Sequence, residues 1–126
     1  MEEIFDQADV VSLHLPLTQI SRQMVDDEWI DNFKNPFYFV NVAQNGIASL
    51  AAINKALESK KKLGACLDVL ENEKLATLTN AQAETFEQLI AKPNVLFSPH
   101  VAGWTHESYR RINEVLVEKI EKLALF

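Results

Sequence analysis

Four short apolar runs constrain the fold of this chain more than any other feature of its sequence. They are Val10–Leu15 (VVSLHL), Phe37–Val42 (FYFVNV), Ala65–Leu70 (ACLDVL) and Val95–Ser98 (VLFS). Each is nearly continuous in apolar residues, which is typical of strands in a parallel sheet that helices cover on both faces. The runs start about 27 to 30 residues apart, a natural length for a strand–helix–strand unit. We therefore expect an α/β fold in which right-handed connections lay four parallel strands side by side.

The segments between these runs carry helical patterns. Ser49 is a favourable N-cap for a helix that we expect to end at the lysines 60–62, with Gly64 as its stop signal. A weaker pattern predicts a helix over Asp26–Phe33, and a clearer one predicts a helix over Glu84–Ala91. These helices would supply the crossovers that parallel strands require.

The end of the chain and one internal segment complete the predicted organisation. Thr105 is a good N-cap for a last helix over about residues 106–123, which carries an apolar stripe. Residues Glu71–Ala83 (ENEKLATLTNAQA) form one long irregular connection. Loops of that length in compact domains are often functional or mobile, and a plain solvated excursion is an equally good interpretation.

The composition limits the classes of protein to which the chain can belong. With 126 residues, of which 48% are hydrophobic, it is long enough for one domain with a real core. The formal net charge of −6 argues against nucleic-acid and anionic-membrane partners. No apolar run approaches the roughly 20 residues that cross a bilayer, and the acidic start lacks a signal-peptide pattern. The single cysteine, Cys66, is predicted to be a buried small residue in a reducing cytoplasm.

Several common chemistries have no motif in this sequence. It holds no G-x-G-x-x-G and no G-x-x-x-x-G-K-[ST] loop, and its three glycines are scattered. It has no H-E-x-x-H and no cluster of cysteine and histidine, so we predict no metal site. The lack of a G-x-S-x-G elbow likewise disfavours a hydrolase.

Polar residues gather where the predicted strands end. Ligands of parallel α/β sheets bind beyond the carboxyl ends of the strands, and these ends carry Asn41 to Asn45, Asp68 with Glu73, and His100. A histidine after one strand and a carboxylate after another could meet as an acid–base pair. Each residue also has a plain structural interpretation: His100 as a turn residue, Asp68 as a cap of backbone amides and Glu73 as ordinary surface. Only their joint placement favours a functional site.

With these motifs in order, the chain resembles the NAD-dependent D-isomer-specific 2-hydroxyacid dehydrogenases, a group that includes the D-3-phosphoglycerate dehydrogenases. The stretches that carry the resemblance are ADVVSLHLPLT, FVNVAQNG, AAINKALESKKKLGACLDVLENEK and NVLFSPHVAGWTHES. It extends over nearly the whole chain from about Ala8 onward. The resemblance implies a partial Rossmann-type parallel sheet flanked by helices, with NAD as cofactor and a small 2-hydroxy or 2-oxo acid as substrate.

The resemblance also implies roles for individual residues. His100 matches the family's acid–base histidine, Glu73 matches the glutamate that pairs with it, and Asp68 matches the aspartate facing the nicotinamide carboxamide. The remaining positions that match the cofactor lining are Pro16, Val42, Ala43, Val101, Ala102 and Gly103, together with His100 itself. We expect all of them at one edge of the sheet.

Two departures from the family pattern stand out. Gln44 occupies the position of the arginine that holds the substrate's carboxylate, and a glutamine offers neither a charge nor a bidentate fork. The family's first strands, with their glycine-rich loop, have no counterpart before Ala8. We therefore expect residues 1–126 to be the C-terminal half of a nucleotide-binding domain, with the helix at 106–123 leading back to a substrate domain. The apolar edge at Val10–Leu15 would then be open, which predicts a homo-oligomer.

Three functional hypotheses follow. The first is an NAD-dependent oxidoreductase that moves a hydride between the cofactor and the second carbon of a D-2-hydroxy acid, with weak or no activity in these 126 residues alone. The second is a non-catalytic remnant that acts as an oligomerising or partner-binding module. The third is a nucleotide-binding module without chemistry. His100, Glu73 and Asp68 support the first hypothesis, while Gln44 and the missing glycine loop support the second.

Overall fold

A parallel sheet of four strands forms the centre of the molecule. The computed structural model describes residues 1–123. Its strands are β1 (Val10–Leu13), β2 (Phe37–Asn41), β3 (Lys62–Leu67) and β4 (Val95–Phe97), hydrogen-bonded in the order β1-β2-β3-β4. All neighbouring pairs are parallel. The predicted α/β fold and strand order are therefore confirmed, although β3 begins three residues before the predicted run and ends before Asp68.

The helices lie before, between and after these strands. They are α1 (Glu2–Gln7), α2 (Asp27–Asp31), α3 (Leu50–Glu58), α4 (Asn80–Ile90) and α5 (His106–Lys122), with a 3₁₀ turn at Leu75–Thr77. The predicted caps are confirmed, because Ser49 Oγ accepts the Ala52 N–H at 3.3 Å and Thr105 Oγ1 accepts the Ser108 N–H at 3.0 Å. Each satisfies an amide that the first helical turn leaves without a backbone partner.

The hydrophobic core lies on a single face of the sheet. When each new parallel strand is added on the same side of the strand before it, right-handed crossovers place every connecting helix on the same face of the sheet. The side chains of Phe37 and Phe39 from β2, Ile53 from α3 and Leu67 from β3 are all fully buried there. Phe33 stacks on Phe37 with ring centroids 3.9 Å apart, which fixes the segment after α2 against the sheet.

The opposite face of the sheet is exposed, so the prediction of strands covered on both faces is wrong. Val10, Tyr38 and Leu96 point to this face and are 60%, 51% and 66% exposed. Cys66 is exposed as well, which corrects the prediction of a buried cysteine. Helix α5 does not cover this face, since it buries none of its residues. The apolar runs are continuous, but in β1 and β2 only every second residue is buried by the described part of the chain.

Two predicted helix boundaries were wrong. Helix α3 stops at Glu58 because Lys60 takes a left-handed backbone conformation, with φ of 59°. Gly64 is therefore not the stop signal but a residue of β3. Helix α4 starts at Asn80 rather than at Glu84, because Thr79 and Gln82 form a reciprocal capping box. The irregular connection after β3 is correspondingly shorter than predicted.

Helix α1 was not predicted from the sequence. It is short and acidic, and none of its residues is buried. The Phe5 ring nevertheless packs edge-on against Trp29 and Phe33, with centroid distances of 5.9 Å and 5.0 Å. This tertiary contact, rather than helix propensity, holds the start of the chain on the core face.

Gly64 is required by a close approach between β3 and the chain before β4. A Cβ at this position would lie 2.8 Å from the backbone oxygen of Asn94 and 3.3 Å from the Tyr38 ring. We expect Gly64→Ala to lower the free energy of unfolding by about 1–3 kcal/mol, because the backbone oxygen must move. Urea unfolding followed by circular dichroism measures the change.

Gly103→Ala provides the matched control. A Cβ at Gly103 would meet no atom within 4 Å. Its free energy of unfolding is expected to equal or slightly exceed that of the wild type. Equal destabilisation by both substitutions would contradict the steric explanation.

Candidate functional site

All the residues singled out in the sequence lie at one edge of the sheet. Because the strands are parallel, their carboxyl ends meet at the same edge. Pro16 follows β1, the segment Val42–Gln44 follows β2, Asp68 follows β3, and the turn His100–Gly103 follows β4. The 3₁₀ turn at Leu75–Thr77 places Glu73 over the same edge.

The centre of this edge is an ion pair between a histidine and a glutamate. His100 Nδ1 lies 2.8 Å from Glu73 Oε1, and the two side chains are 47% and 36% exposed. Glu73 is held from its own loop, since its backbone oxygen accepts the Leu75 N–H at 3.1 Å. With Nδ1 engaged by the carboxylate, Nε2 is the nitrogen that can exchange a proton with a bound ligand. The plain interpretations of His100 as only a turn residue and of Glu73 as only surface do not explain this pairing.

Asp68 holds the turn that carries the histidine. The backbone of His100 is left-handed, with φ of 56°, and its N–H donates to the Asp68 backbone oxygen at 2.9 Å. The Asp68 carboxylate accepts the N–H groups of Val101 and Ala102 at 2.9 Å and 3.0 Å, and the Ser98 hydroxyl donates to it at 2.5 Å. The interpretation of Asp68 as a cap of backbone amides is thus correct.

The Asp68 carboxyl is kept charged despite its burial. Burial alone would raise its pKa, because a charge loses solvation inside the protein. Hydrogen bonds from Ser98, Ala102 and Val101, with the nearby charge of His100, outweigh that cost and lower the pKa below its ordinary value. Asp68 is only 5% exposed, so these bonds are little screened by water.

The residues after β1 and β2 lie at the same edge but outside this cluster. Gln44 is exposed, whereas Ala43 is buried and its N–H donates to the Asn41 side chain at 3.2 Å. Pro16 is exposed, and its backbone oxygen accepts the Ser21 hydroxyl at 2.7 Å. Of the predicted site residues, the structure therefore joins Glu73, Asp68 and the turn after β4 by hydrogen bonds, and leaves the others alongside.

Two features of the site were not predicted from the sequence. The Glu71 carboxylate accepts the Leu50 N–H at 3.2 Å, which ties the loop after β3 to the start of α3. A cleft of about 450 Å³ opens beside His100 and Glu73, with an apolar lining from Leu70, Leu75, Phe86, Phe97 and Pro99. The hydrogen bond and the cleft both depend on residues far apart in sequence, so no local sequence pattern predicts them.

A four-stranded parallel sheet with polar residues gathered at its carboxyl edge is typical of a Rossmann-type dinucleotide-binding domain. Comparison with known proteins shows the family within this class to which the chain belongs. The family profile "D-isomer specific 2-hydroxyacid dehydrogenase, NAD binding domain" matches residues 1–102. The chain therefore belongs to the D-isomer specific 2-hydroxyacid dehydrogenases, as part of their NAD-binding domain.

Individual relatives agree with this assignment. A 2-hydroxyacid dehydrogenase homolog from Zymomonas mobilis is 32% identical over 125 residues, which cover 95% of this chain and 38% of that protein. The (S)-sulfolactate dehydrogenase of Chromohalobacter salexigens is 34% identical over 119 residues, covering 94% and 36%. The crystal structure of D-lactate dehydrogenase from Aquifex aeolicus, complexed with NAD and lactic acid, superposes with a TM-score of 0.76 at 28% identity, covering 98% and 39%.

The chain thus spans less than two-fifths of the length of these relatives. The family assignment confirms the predicted resemblance and favours the dehydrogenase hypothesis over the non-catalytic remnant. Within residues 1–123, no helix combines the length and apolar character needed to cross a membrane. The same residues contain no group of three or more histidine, cysteine or acidic side chains placed to hold a metal ion.

The lowered pKa of Asp68 predicts a pH-dependent contribution to stability. Its charged form stabilises the fold at pH values above the unfolded-state pKa, and this contribution is lost as the pH falls through the lowered folded-state pKa. We expect Asp68→Asn to reduce the free energy of unfolding by about 2–4 kcal/mol at pH 7, because the amide replaces an acceptor with a donor facing two N–H groups. Below about pH 4 the difference from the wild type should shrink.

Urea unfolding at pH 7 and at pH 3 measures both effects. Asp31→Asn, at an exposed aspartate at the end of α2, is the matched control and should change stability little at either pH. A difference between wild type and Asp68→Asn that stayed constant with pH would contradict a role for the Asp68 charge.

Proposed function

We propose that this chain supplies the catalytic half of the nucleotide-binding domain of an NAD-dependent D-2-hydroxyacid dehydrogenase. In this proposal residues 1–126 are the C-terminal half of that domain, and α5 leads toward a substrate domain. The observation that carries the proposal is the 2.8 Å contact between His100 and Glu73 at the carboxyl edge of the sheet. A cytoplasmic location is part of the same proposal.

His100 and Glu73 would handle the proton of the reaction. When a 2-oxo acid is reduced, its carbonyl oxygen must gain a proton as the second carbon gains a hydride. His100 can give that proton from Nε2, and Glu73 stabilises the charged imidazolium and fixes its orientation through Nδ1. In the reverse direction the same nitrogen takes the proton of the substrate hydroxyl. Bound NAD would supply or accept the hydride.

The residues of this edge fit the nicotinamide end of the cofactor. Asp68 Oδ2 accepts one hydrogen bond, from the Ala102 N–H. A carboxylate oxygen can accept about two, so the second acceptor position on Oδ2 suits an N–H of the nicotinamide carboxamide. The exposed turn Val101–Gly103 and the backbone at Val42 and Ala43 would line the ring and its ribose. The pyrophosphate needs a glycine-rich loop at a helix N-terminus, which the described residues do not provide.

Gln44 makes the substrate site weaker than the family pattern. A neutral amide can donate hydrogen bonds to a carboxylate, but charge-assisted bonds are roughly twice as strong. We therefore propose that Gln44 contacts the substrate. We also propose that these 126 residues alone convert substrate slowly or not at all.

Titration with NADH tests the proposed cofactor site. Trp104 directly follows the turn His100–Gly103 and is 71% exposed, whereas Trp29 is 8% exposed in the core. We expect NADH to quench tryptophan emission saturably with a Kd of about 1 mM, which corresponds to a weak binding free energy of about −4 kcal/mol. The incomplete pyrophosphate site accounts for the low affinity.

The variant Trp104→Phe corrects for light absorbed by NADH itself. It should show only the non-saturating loss of emission, because its remaining tryptophan, Trp29, is buried in the core. Identical curves for the wild type and Trp104→Phe would contradict a nicotinamide site at this turn.

A second proposal concerns self-association through the edge of β1. In the described sheet β1 pairs with β2 alone. Tyr38 N–H donates to the Asp9 oxygen at 2.8 Å and Val10 is paired with Tyr38, so the backbone groups of Val10 and Ser12 point away from β2. We propose that this open edge pairs with the same edge of a second copy.

Ser12→Pro tests the edge, because proline removes an outward N–H and is tolerated on edge strands. We expect the wild type to form dimers or larger species and Ser12→Pro to be monomeric, by size-exclusion chromatography with light scattering. Ser12→Ala keeps the N–H and should behave as the wild type. A wild type that is monomeric across the concentration range would overturn this proposal.

A further inference from the structure

The backbone at His100 adopts a conformation that histidine seldom takes. Its φ of 56° lies in the left-handed region, where a residue with a Cβ costs on the order of 1–2 kcal/mol. Such a conformation persists only when its surroundings determine it. The direction in which the imidazole leaves the chain therefore depends on contacts outside His100.

Asp68 provides these contacts to three successive amides. Its backbone oxygen accepts the His100 N–H, and its carboxylate accepts the N–H groups of Val101 and Ala102. A carboxylate that bonds two neighbouring N–H groups fixes the peptide planes between them. The position of this carboxylate thus sets the orientation of the turn.

Ser98 fixes the carboxylate in turn. Its hydroxyl lies 2.5 Å from Asp68 Oδ1, the same oxygen that accepts the Val101 N–H. The backbone that carries this hydroxyl is itself fixed, because the Ser98 N–H donates to the Leu67 backbone oxygen at 3.1 Å. Of about four acceptor positions on a carboxylate, Ser98, Val101 and Ala102 occupy three, so the side chain of Asp68 has little freedom to rotate.

We propose that Ser98 is a positioning residue for the acid–base pair. Its hydroxyl holds the Asp68 carboxylate, which holds the left-handed turn from which His100 reaches Glu73. The catalytic meaning of this coupling rests on the proposed function, but the coupling itself does not. Ser98 contributes through Asp68 and is not assigned any contact with substrate or cofactor.

Nuclear magnetic resonance of the ¹⁵N-labelled chain tests the coupling without cofactor or turnover. In Ser98→Ala we expect hydrogen exchange of the Val101 and Ala102 amides to accelerate about tenfold, because their acceptor is less firmly held. We also expect the imidazole Nδ1–H signal of His100 to broaden or disappear as its contact with Glu73 loosens. Ser98→Thr keeps the hydroxyl and should restore both signals.

Ser12→Ala is the matched control. It also removes a hydroxyl next to a histidine, since Ser12 Oγ lies 2.8 Å from His14 Nε2, yet it is remote from Asp68. It should leave the signals of Val101, Ala102 and His100 unchanged.

Unchanged signals in Ser98→Ala would overturn the proposal. If that variant does not fold, the comparison moves to Ser98→Thr and Ser98→Val, which differ only in a hydroxyl against a methyl group. Matching His100 and amide signals in those two would equally overturn it. A failed NADH titration would leave this result unaffected, so the two proposals fail separately.

Discussion

The winding direction of the chain determines the rest of the structure. Each strand of the sheet lies next to the one before it, and all neighbouring pairs are parallel. Connections between parallel strands follow a right-handed rule. Two consequences follow from this single constraint. The connecting helices are confined to one face, where the core forms, and the carboxyl ends of all four strands arrive at one edge. The uncovered face and the functional edge therefore have the same origin.

At that edge, Asp68 links the ends of three strands. Its N–H donates to the Asn41 oxygen at the end of β2, and Asp68 itself directly follows β3. Its oxygens accept the N–H groups of the turn after β4. A buried charge with this many donors is stable only while all of them are in place. Asp68 thus joins the ends of β2, β3 and β4, and it also sets the position of His100. At this residue the stability of the fold and the geometry of the His100 turn cannot be separated.

The sequence predicted the features that depend on neighbouring residues. Apolar runs marked the strands, and Ser49 and Thr105 marked helix starts, because an N-cap bonds an amide only two or three residues away. The errors concern contacts between distant segments. Gly64 was read as a helix stop, although its role depends on Asn94, and Cys66 was placed inside because the pattern of a strand does not state which face is covered.

The site shows the same division. The family resemblance predicted that His100 and Glu73 pair at the same edge of the sheet, and the structure shows this contact. The bond from Ser98 to Asp68 spans 30 residues, and no periodicity or motif encodes it. The capping box of Thr79 and Gln82 is different, since its spacing is a readable signal that was missed.

The contrast between Asp68 and the ion pair bears on function. Burial and hydrogen bonding give Asp68 a structural purpose whether or not the protein is an enzyme. The pair of His100 and Glu73 has no such purpose, because exposed ion pairs contribute only about 0–1 kcal/mol to stability. The left-handed backbone of His100 is held by the hydrogen bonds of Asp68 rather than by this contact. The contact between His100 and Glu73 therefore adds little to the stability of the fold, which agrees with the proposed role in proton transfer.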